Sequence, residues 1–304
     1  MPISHWFCAA FIAATAYGQQ MADPNFDTRV GNPAFTNAHP RIGIDESHKN
    51  FHTKDGRYKP FAALMASDGF IVGAAPKFTP GGLKAIDILV IANALGDEDW
   101  DKPKPAFNAT ECDAVRDWVR AGGALLLIAD HAPFGDSAAV LGQRFGVDMG
   151  RGFVADRKNS GTDPTLLVFS VENGLIGDHT SIRGRNDREA VRAIMAFTGQ
   201  SLSIPEGATA LMKLGNDAVE VATREELRDF ASGKQAGKSV AGRAQGIAMA
   251  FGKGRVAMFG EAAMFSAQLA GSGAQASKMG MNAAGNDDRQ FALNVMHWLA
   301  GALD

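Results

Sequence analysis

Asp130 and His131 stand at the end of the apolar run Ala124-Leu-Leu-Leu-Ile-Ala129, with Pro133 and Gly135 close behind. An imidazole titrates near neutral pH and can take a proton from water, and a neighbouring carboxylate can orient it or steady its charge. The pattern recurs along the chain. Asp45, Glu46, His48 and His52 follow Arg41-Ile-Gly-Ile44, Asn93 follows Ile86-Asp-Ile-Leu-Val-Ile-Ala92, and Glu261 follows Arg255-Val-Ala-Met-Phe259 after one glycine. Apolar runs of this kind read as strands buried on both faces of a parallel sheet, and ligands bind where such strands end. His131, Asp130, Glu261 and Asp45 are therefore the candidates for acid–base catalysis. Glu46, His48, His52, Asn93, Ser137 and Asn282 are the candidates for holding a substrate. His48 and His52 lie four apart, a spacing that lets two imidazoles share a divalent metal if the segment is helical. Asp45, His48, His52 and His131 are accordingly the candidate metal ligands.

Positioning these groups on one edge requires strands alternating with helices. Residues 41–44, 70–73, 86–92 and 124–129 read as strands, while residues 58–67 and 107–120 carry helical spacing, the first with Pro60 in its opening turn. A parallel, three-layer α/β unit with right-handed crossovers follows. Asp136 or Ser137 is placed to cap a helix running to Phe145. Beyond Gly146 the rhythm loosens. Residues 166–169 and 208–214 read as strands, 190–197 as either a helix or a strand, and 215–243 as polar and uneven. Residues 246–251 and 255–259 flank Gly252-Lys-Gly254 as a hairpin. Residues 288–303 form a closing helix with Phe291, Val295, Trp298 and Leu299 on one stripe, where His297 has a structural place. His179, Arg183 and Arg185 sit in a turn-rich loop able to fold over the edge.

Composition narrows the function. The 304 residues are 46% apolar, enough for a sizeable core. A net charge of −3 without a basic stripe, and only two tyrosines, exclude broad recognition of nucleic acid. Neither G-x-x-x-x-G-K-[ST] nor a G-x-G-x-x-G after the first strand is present, so the usual nucleotide cradles are missing. A small-molecule or glycan ligand is the remaining class of partner.

Residues 1–18 read as an export signal. Trp6-Phe-Cys-Ala-Ala-Phe-Ile-Ala-Ala-Thr-Ala16 is too short to span a bilayer comfortably, and Ala16-Tyr-Gly18 offers small residues to a signal peptidase. On that reading the mature chain is periplasmic or secreted, without a membrane span. Residues 19–40, with Pro24, Pro33 and Pro40, form an extended arm over the domain or a disordered lead-in. Residues 41–304 form a single α/β domain. Cys112 would be the only cysteine of the mature chain, at a packing position near Val115 and Val119, which excludes an internal disulfide.

Ile44-Asp-Glu-Ser-His-Lys-Asn-Phe-His-Thr53, Ile128-Ala-Asp-His-Ala-Pro-Phe134 and Gly260-Glu-Ala-Ala-Met-Phe265 resemble an uncharacterised family of exported bacterial proteins. Gly280-Met-Asn282 and Gln290-Phe-Ala-Leu-Asn-Val-Met-His-Trp-Leu299 fit the same family. That family is similar to the class I glutamine amidotransferase-like superfamily. Over roughly residues 39–303 the resemblance implies a three-layer α/β/α fold with a mainly parallel flavodoxin-like sheet, plus a C-terminal hairpin and helix. Amidotransferases of the superfamily use a cysteine on the sharp turn after a central strand, with a histidine and a glutamate. Here that turn is Asp130-His131-Ala132, so the resemblance does not extend to cysteine-dependent glutamine hydrolysis. Two functions stay open. One is an exported hydrolase using His131 and its carboxylates, with or without a divalent metal. The other is a non-catalytic binding domain, carbohydrate-related by analogy with relatives that bind or process sugars.

Overall fold

The computed structural model describes residues 20–96, 100, 102–271 and 276–304. The expected export signal, residues 1–18, lies outside the described residues. The arm begins with strand β1 (Gln20–Ala22), and β2 (Arg41–Ile44), helix α1 (Lys59–Ser67) and β3 (Ile71–Ala74) follow. Next come β4 (Ile88–Ala92), α2 (Ala109–Arg120), β5 (Ala124–Ile128) and α3 (Phe134–Gly142). The remaining elements begin with β6 (Phe153–Ala155), β7 (Leu166–Ser170), α4 (Thr180–Arg183) and β8 (Ala193–Phe197). Strands β9 (Thr209–Lys213) and β10 (Val219–Val221), helix α5 (Arg224–Ala231) and β11 (Lys238–Ser239) come next. Strands β12 (Ala244–Phe251), β13 (Gly254–Phe259), β14 (Ala267–Ala270) and β15 (Ser277–Gly280) lead to α6 (Asp288–Leu299).

A seven-stranded sheet in the order β3-β2-β4-β5-β13-β12-β9 forms the centre. Strands β3, β2, β4, β5 and β13 pair in parallel, and β12 runs against both of its neighbours. The expected C-terminal hairpin, β12 and β13, is therefore no appendage. It completes the sheet, with Phe259 registered against Ile128 of β5. All five residues of β4 and all five of β5 are buried, which accounts for their unbroken apolar character. Their side chains alternate between two cores. Val90, Leu126 and Ile128 meet Phe61 and Leu64 of α1 and Phe291 and Val295 of α6. Leu89, Leu125 and Leu127 meet Val115 and Val119 of α2 and Leu141 of α3. Helices thus cover both faces, and each fully buried Leu or Ile contributes roughly 1.5–3 kcal/mol.

Several local expectations change. Helix α3 starts at Phe134 with Pro133 before it and no side-chain cap, so neither Asp136 nor Ser137 caps it; Ser137 is buried inside the helix. Within residues 190–197, Ala193–Phe197 form strand β8, paired with β7. The polar stretch 215–243 carries α5 and two strands of a separate sheet, β11-β10-β6, with a small core of Phe153, Ala155, Val221 and Phe230. We call this unit the flap. The arm is ordered against the domain, because β1 pairs with β14 and the Phe35 amide bonds the Asp68 carbonyl.

Candidate functional site

Four strand ends align the candidate residues on one edge. Backbone hydrogen bonds continue past the strands proper: Asp45 N–H donates to Val90 O, Asn93 N–H to Ile128 O, and Ala129 N–H to Phe259 O. Asp130 and Glu261 each lie two residues beyond the registered pair Ile128 and Phe259. The order across the edge is therefore Asp45, Asn93, Asp130, Glu261.

Asn93 is the hub. It holds a left-handed φ of 52°, which asparagine tolerates better than most residues. In that conformation its carbonyl accepts the Phe51 N–H and its Oδ1 accepts the Asp130 N–H at 2.9 Å. Its Nδ2 donates to His52 Nδ1 at 3.3 Å. His52 is buried, and burial, with the nearby Arg57 charge, pulls its pKa down to about 3. It is a neutral ring packed edge-on to Tyr58, 4.7 Å between centroids. Thr198, next to Gly199, holds a φ of 86°. A Cβ on Gly199 would come within 2.3 Å of the Gly260 carbonyl, so only glycine lets these two segments meet. Strained backbone of this kind clusters at functional sites.

Asp130 and His131 share one turn. The His131 N–H donates to Asp130 Oδ1 at 2.7 Å, and His131 Nδ1 lies 2.7 Å from its neighbour's carbonyl, Ala132 O. A carbonyl can only accept, so in the neutral ring this contact calls for the proton on Nδ1 and the lone pair on Nε2. The ring stacks on Phe153 of the flap, 4.8 Å away and 22° from parallel. Arg224, the first residue of α5, lies over the same Phe153 ring at 5.2 Å. Burial pushes the Asp130 carboxyl up, against His131, Asn93 and Arg224, which favour its charge. Glu261 is wholly buried and raised well above the ordinary carboxylate range, first by burial and then by the Asp130 charge. Both groups also raise the Tyr58 hydroxyl, after burial itself. Both carboxyls are thus held above their ordinary values, and groups so placed titrate as a pair rather than singly.

The other candidates separate. Glu261 Oε1 and Oε2 accept the Ala263 and Met264 amides at 2.6 and 2.9 Å, so it also shapes its own turn. Asp45 is fully buried and binds His48 Nδ1 at 2.8 Å, with Asn50 Nδ2 on the same oxygen at 3.1 Å. His48 Nε2 faces Glu111 at 3.5 Å, and the ring lies against Phe78 and Phe107. The segment is a loop, so His48 and His52 point to different partners and share no ion. Among the described residues no group of three or more His, Cys, Asp or Glu is placed to hold a metal ion. Glu46 is exposed and accepts the Lys54 N–H. Asn282, expected among the substrate-holding residues, instead anchors the arm: it donates to Asp23 Oδ2 and the Gln268 carbonyl. His179 packs on Trp298, Arg183 pairs with Asp178, and Arg185 pairs with Glu189, so that loop does not supply the edge. Cys112 is buried, and burial pushes its thiol up to about 11.

Four contributors went unread in the sequence: Tyr58, Phe153, Gln200 and Arg224. Gln200 is buried and donates to the Ala129 carbonyl at 2.9 Å. None belongs to a run or spacing that marks chemistry, and Phe153 and Arg224 arrive only through the flap.

His48 carries a pH prediction. Burial pulls its pKa down, but the Asp45 hydrogen bond and charge, with Glu111, outweigh burial and raise it above its ordinary value. A raised histidine stabilises the fold fully below the unfolded value of 6.5 and loses that contribution as pH rises through the folded value. The stability difference between wild type and His48→Gln in urea unfolding should shrink from about pH 5 to about pH 8. A difference that grows with pH would show that His48 is not held protonated.

No family model matches the chain, and no curated protein is similar to it by sequence. Among solved structures, the N-terminal domain of mmIFT52 has a TM-score of 0.58 at 15% identity, covering 85% of this chain and 97% of that one. That likeness is one of fold alone. A cytoplasmic protein, STM3548, from Salmonella typhimurium reaches 0.48 at 12% identity over 86% of this chain and 98% of its own. A ThuA-like protein from Bacteroides uniformis reaches 0.45 at 11% identity over 91% and 95% respectively. With TM-scores below 0.5, the last two bear on neither mechanism nor residue roles. Among the described residues no helix is long and apolar enough to cross a membrane.

Proposed function

We propose that the chain is an exported acid–base enzyme, a hydrolase, with its site at the Asp130–His131 turn. The observation that carries this reading is the 2.7 Å contact between His131 Nδ1 and the Ala132 carbonyl, which leaves Nε2 as a proton acceptor. Nε2 takes a proton from a water, the Asp130 carboxylate steadies the imidazolium, and burial of the neighbouring Glu261 carboxyl disfavours a second negative charge beside it. The ligand is a small polar molecule or glycan.

The fold reading beneath it is a three-layer, flavodoxin-like arrangement of the glutamine amidotransferase-like kind. Numbered in chain order, the five parallel strands run 2-1-3-4-5, the flavodoxin-like order, and ligands then bind where the first and third strands part. Those strands are β2 and β4, followed by Asp45 and Asn93. With Cys112 inside α2 and its thiol raised, the superfamily's cysteine chemistry has no counterpart in this reading. Export rests on residues 1–18.

The alternative is a binding domain without turnover. It is favoured by the engagement of both Glu261 oxygens with backbone amides. The test is a screen of para-nitrophenyl esters, phosphates and glycosides with wild type and His131→Gln. Turnover lost in the variant supports the enzyme. Turnover equal in both removes His131 from the chemistry, and binding with no turnover by wild type supports the alternative.

A further inference from the structure

A groove of about 590 Å³ opens where the arm, the turn before β8 and the start of α6 meet. It is separate from the Asp130–His131 turn, whose residues do not line it. Its walls carry Arg185, Arg188 and Arg289, with the amides of Asn32, Asn186 and Gln290. Asp187 and Glu189 also line it, so the balance of charge has to be counted by partner. Glu189 is consumed by Arg185, whose Nε and Nη2 lie 2.7 to 3.0 Å from its oxygens. Arg185 Nη2 also donates to the Asn32 carbonyl at 2.7 Å, which fixes the arm as one wall. Among the described residues, Arg188 and Arg289 have no ion-pair partner within 4.0 Å. The acid whose carboxylate feels Arg289 is Asp27, and Arg29 already holds it through two hydrogen bonds.

The start of α6 carries both signs: Asp288, its first residue, is buried, and Arg289 follows it with Nη2 donating to the Arg29 carbonyl of the arm at 2.8 Å. Arg289 is its second residue, a cation set against the helix dipole, where an acid is the stabilising choice. Asp287 stands at the N-cap position but does not cap. Its carboxylate accepts the Arg192 and Ala193 amides instead. With Arg185 paired to Glu189, the guanidinium groups of Arg188 and Arg289 outnumber the one remaining acid, Asp187, and an anion between them would offset that excess.

We propose that this groove is a binding site for a small organic anion, one whose carboxylate or phosphate group is held by Arg188 and Arg289. The volume lies within the range of metabolite sites and exceeds what a bare inorganic ion needs. Arg185, tied to Glu189 and the arm, shapes the wall and is not the main ligand.

The experiment uses the full chain and follows the arginine Nε–Hε resonances by NMR at constant ionic strength. Inorganic phosphate and citrate are the two probes, and sodium chloride is the control. A saturable shift of Arg188 and Arg289 is expected with phosphate, citrate or both, and the stronger probe identifies the anionic group. Arg188→Met removes an exposed charge and leaves the fold intact, and it should weaken binding by roughly tenfold or more, the worth of one charge-assisted hydrogen bond. Arg289→Met should do the same. A linear response that sodium chloride reproduces, or equal binding by wild type and Arg188→Met, overturns the proposal.

Discussion

Replacing His131 by glutamine is expected to reduce turnover by about 10²–10⁴-fold while leaving the fold unchanged. The side chain is half-buried on a turn whose backbone is held independently, by Asn93 on one side and by the Ala132 N–H to Gly152 O bond on the other. Glutamine can still donate to the Ala132 carbonyl, but it offers no proton acceptor at the position of Nε2. Loss of rate should therefore appear in kcat, with unfolding by urea little altered. A variant that keeps full turnover would remove His131 from the chemistry. Asp130→Asn is the informative companion, since it retains hydrogen bonding but cannot steady an imidazolium.

The largest loss of stability is expected elsewhere, at Asp68. This carboxylate is fully buried at the end of α1, where its Oδ2 lies 2.6 Å from His297 Nε2 on α6 and its Oδ1 accepts the Ala34 N–H of the arm at 2.9 Å. Three segments distant in sequence are joined by one side chain. Asp68→Ala leaves the buried His297 ring and an amide without a partner, and His297 Nδ1 already has none. Breaking a buried pair by removing one partner costs about 3–5 kcal/mol. Urea unfolding should show the midpoint falling accordingly, while replacing both residues, as Asp68→Leu with His297→Phe, should recover part of the loss. A cost below about 1 kcal/mol, the range of exposed pairs, would contradict the buried link.

The sheet was legible because its strands are buried on both faces. Residues 124–128 and 88–92 have no polar side chain to obscure the pattern, and the alternation with helices pointed to parallel pairing. The edge residues were legible for the same reason, since a polar side chain directly after such a run must sit at a strand end. What each one does there was not legible. Asp45, Glu46, His48 and His52 form one cluster in sequence, yet the loop pairs Asp45 with His48, whose far nitrogen faces Glu111, and sends His52 toward Asn93 and Glu46 outward. Only tertiary contacts decide that. The flap was invisible because β6, β10 and β11 are short and its core of Phe153, Ala155, Val221 and Phe230 is spread along the chain. Asn282 misled through its neighbourhood: glycine-rich turns border both the edge and the arm, and its partner Asp23 lies 259 residues away.

Everything proposed for the site depends on which His131 nitrogen holds the proton. Long-range ¹H–¹⁵N correlation spectra of the imidazole rings, with His131 assigned by its loss in His131→Gln, decide this without any substrate. The hydrogen bond to Ala132 calls for a protonated Nδ1 and an unprotonated Nε2 in the neutral ring. A neutral ring protonated at Nε2 would contradict it, and His131 could then not serve as the general base.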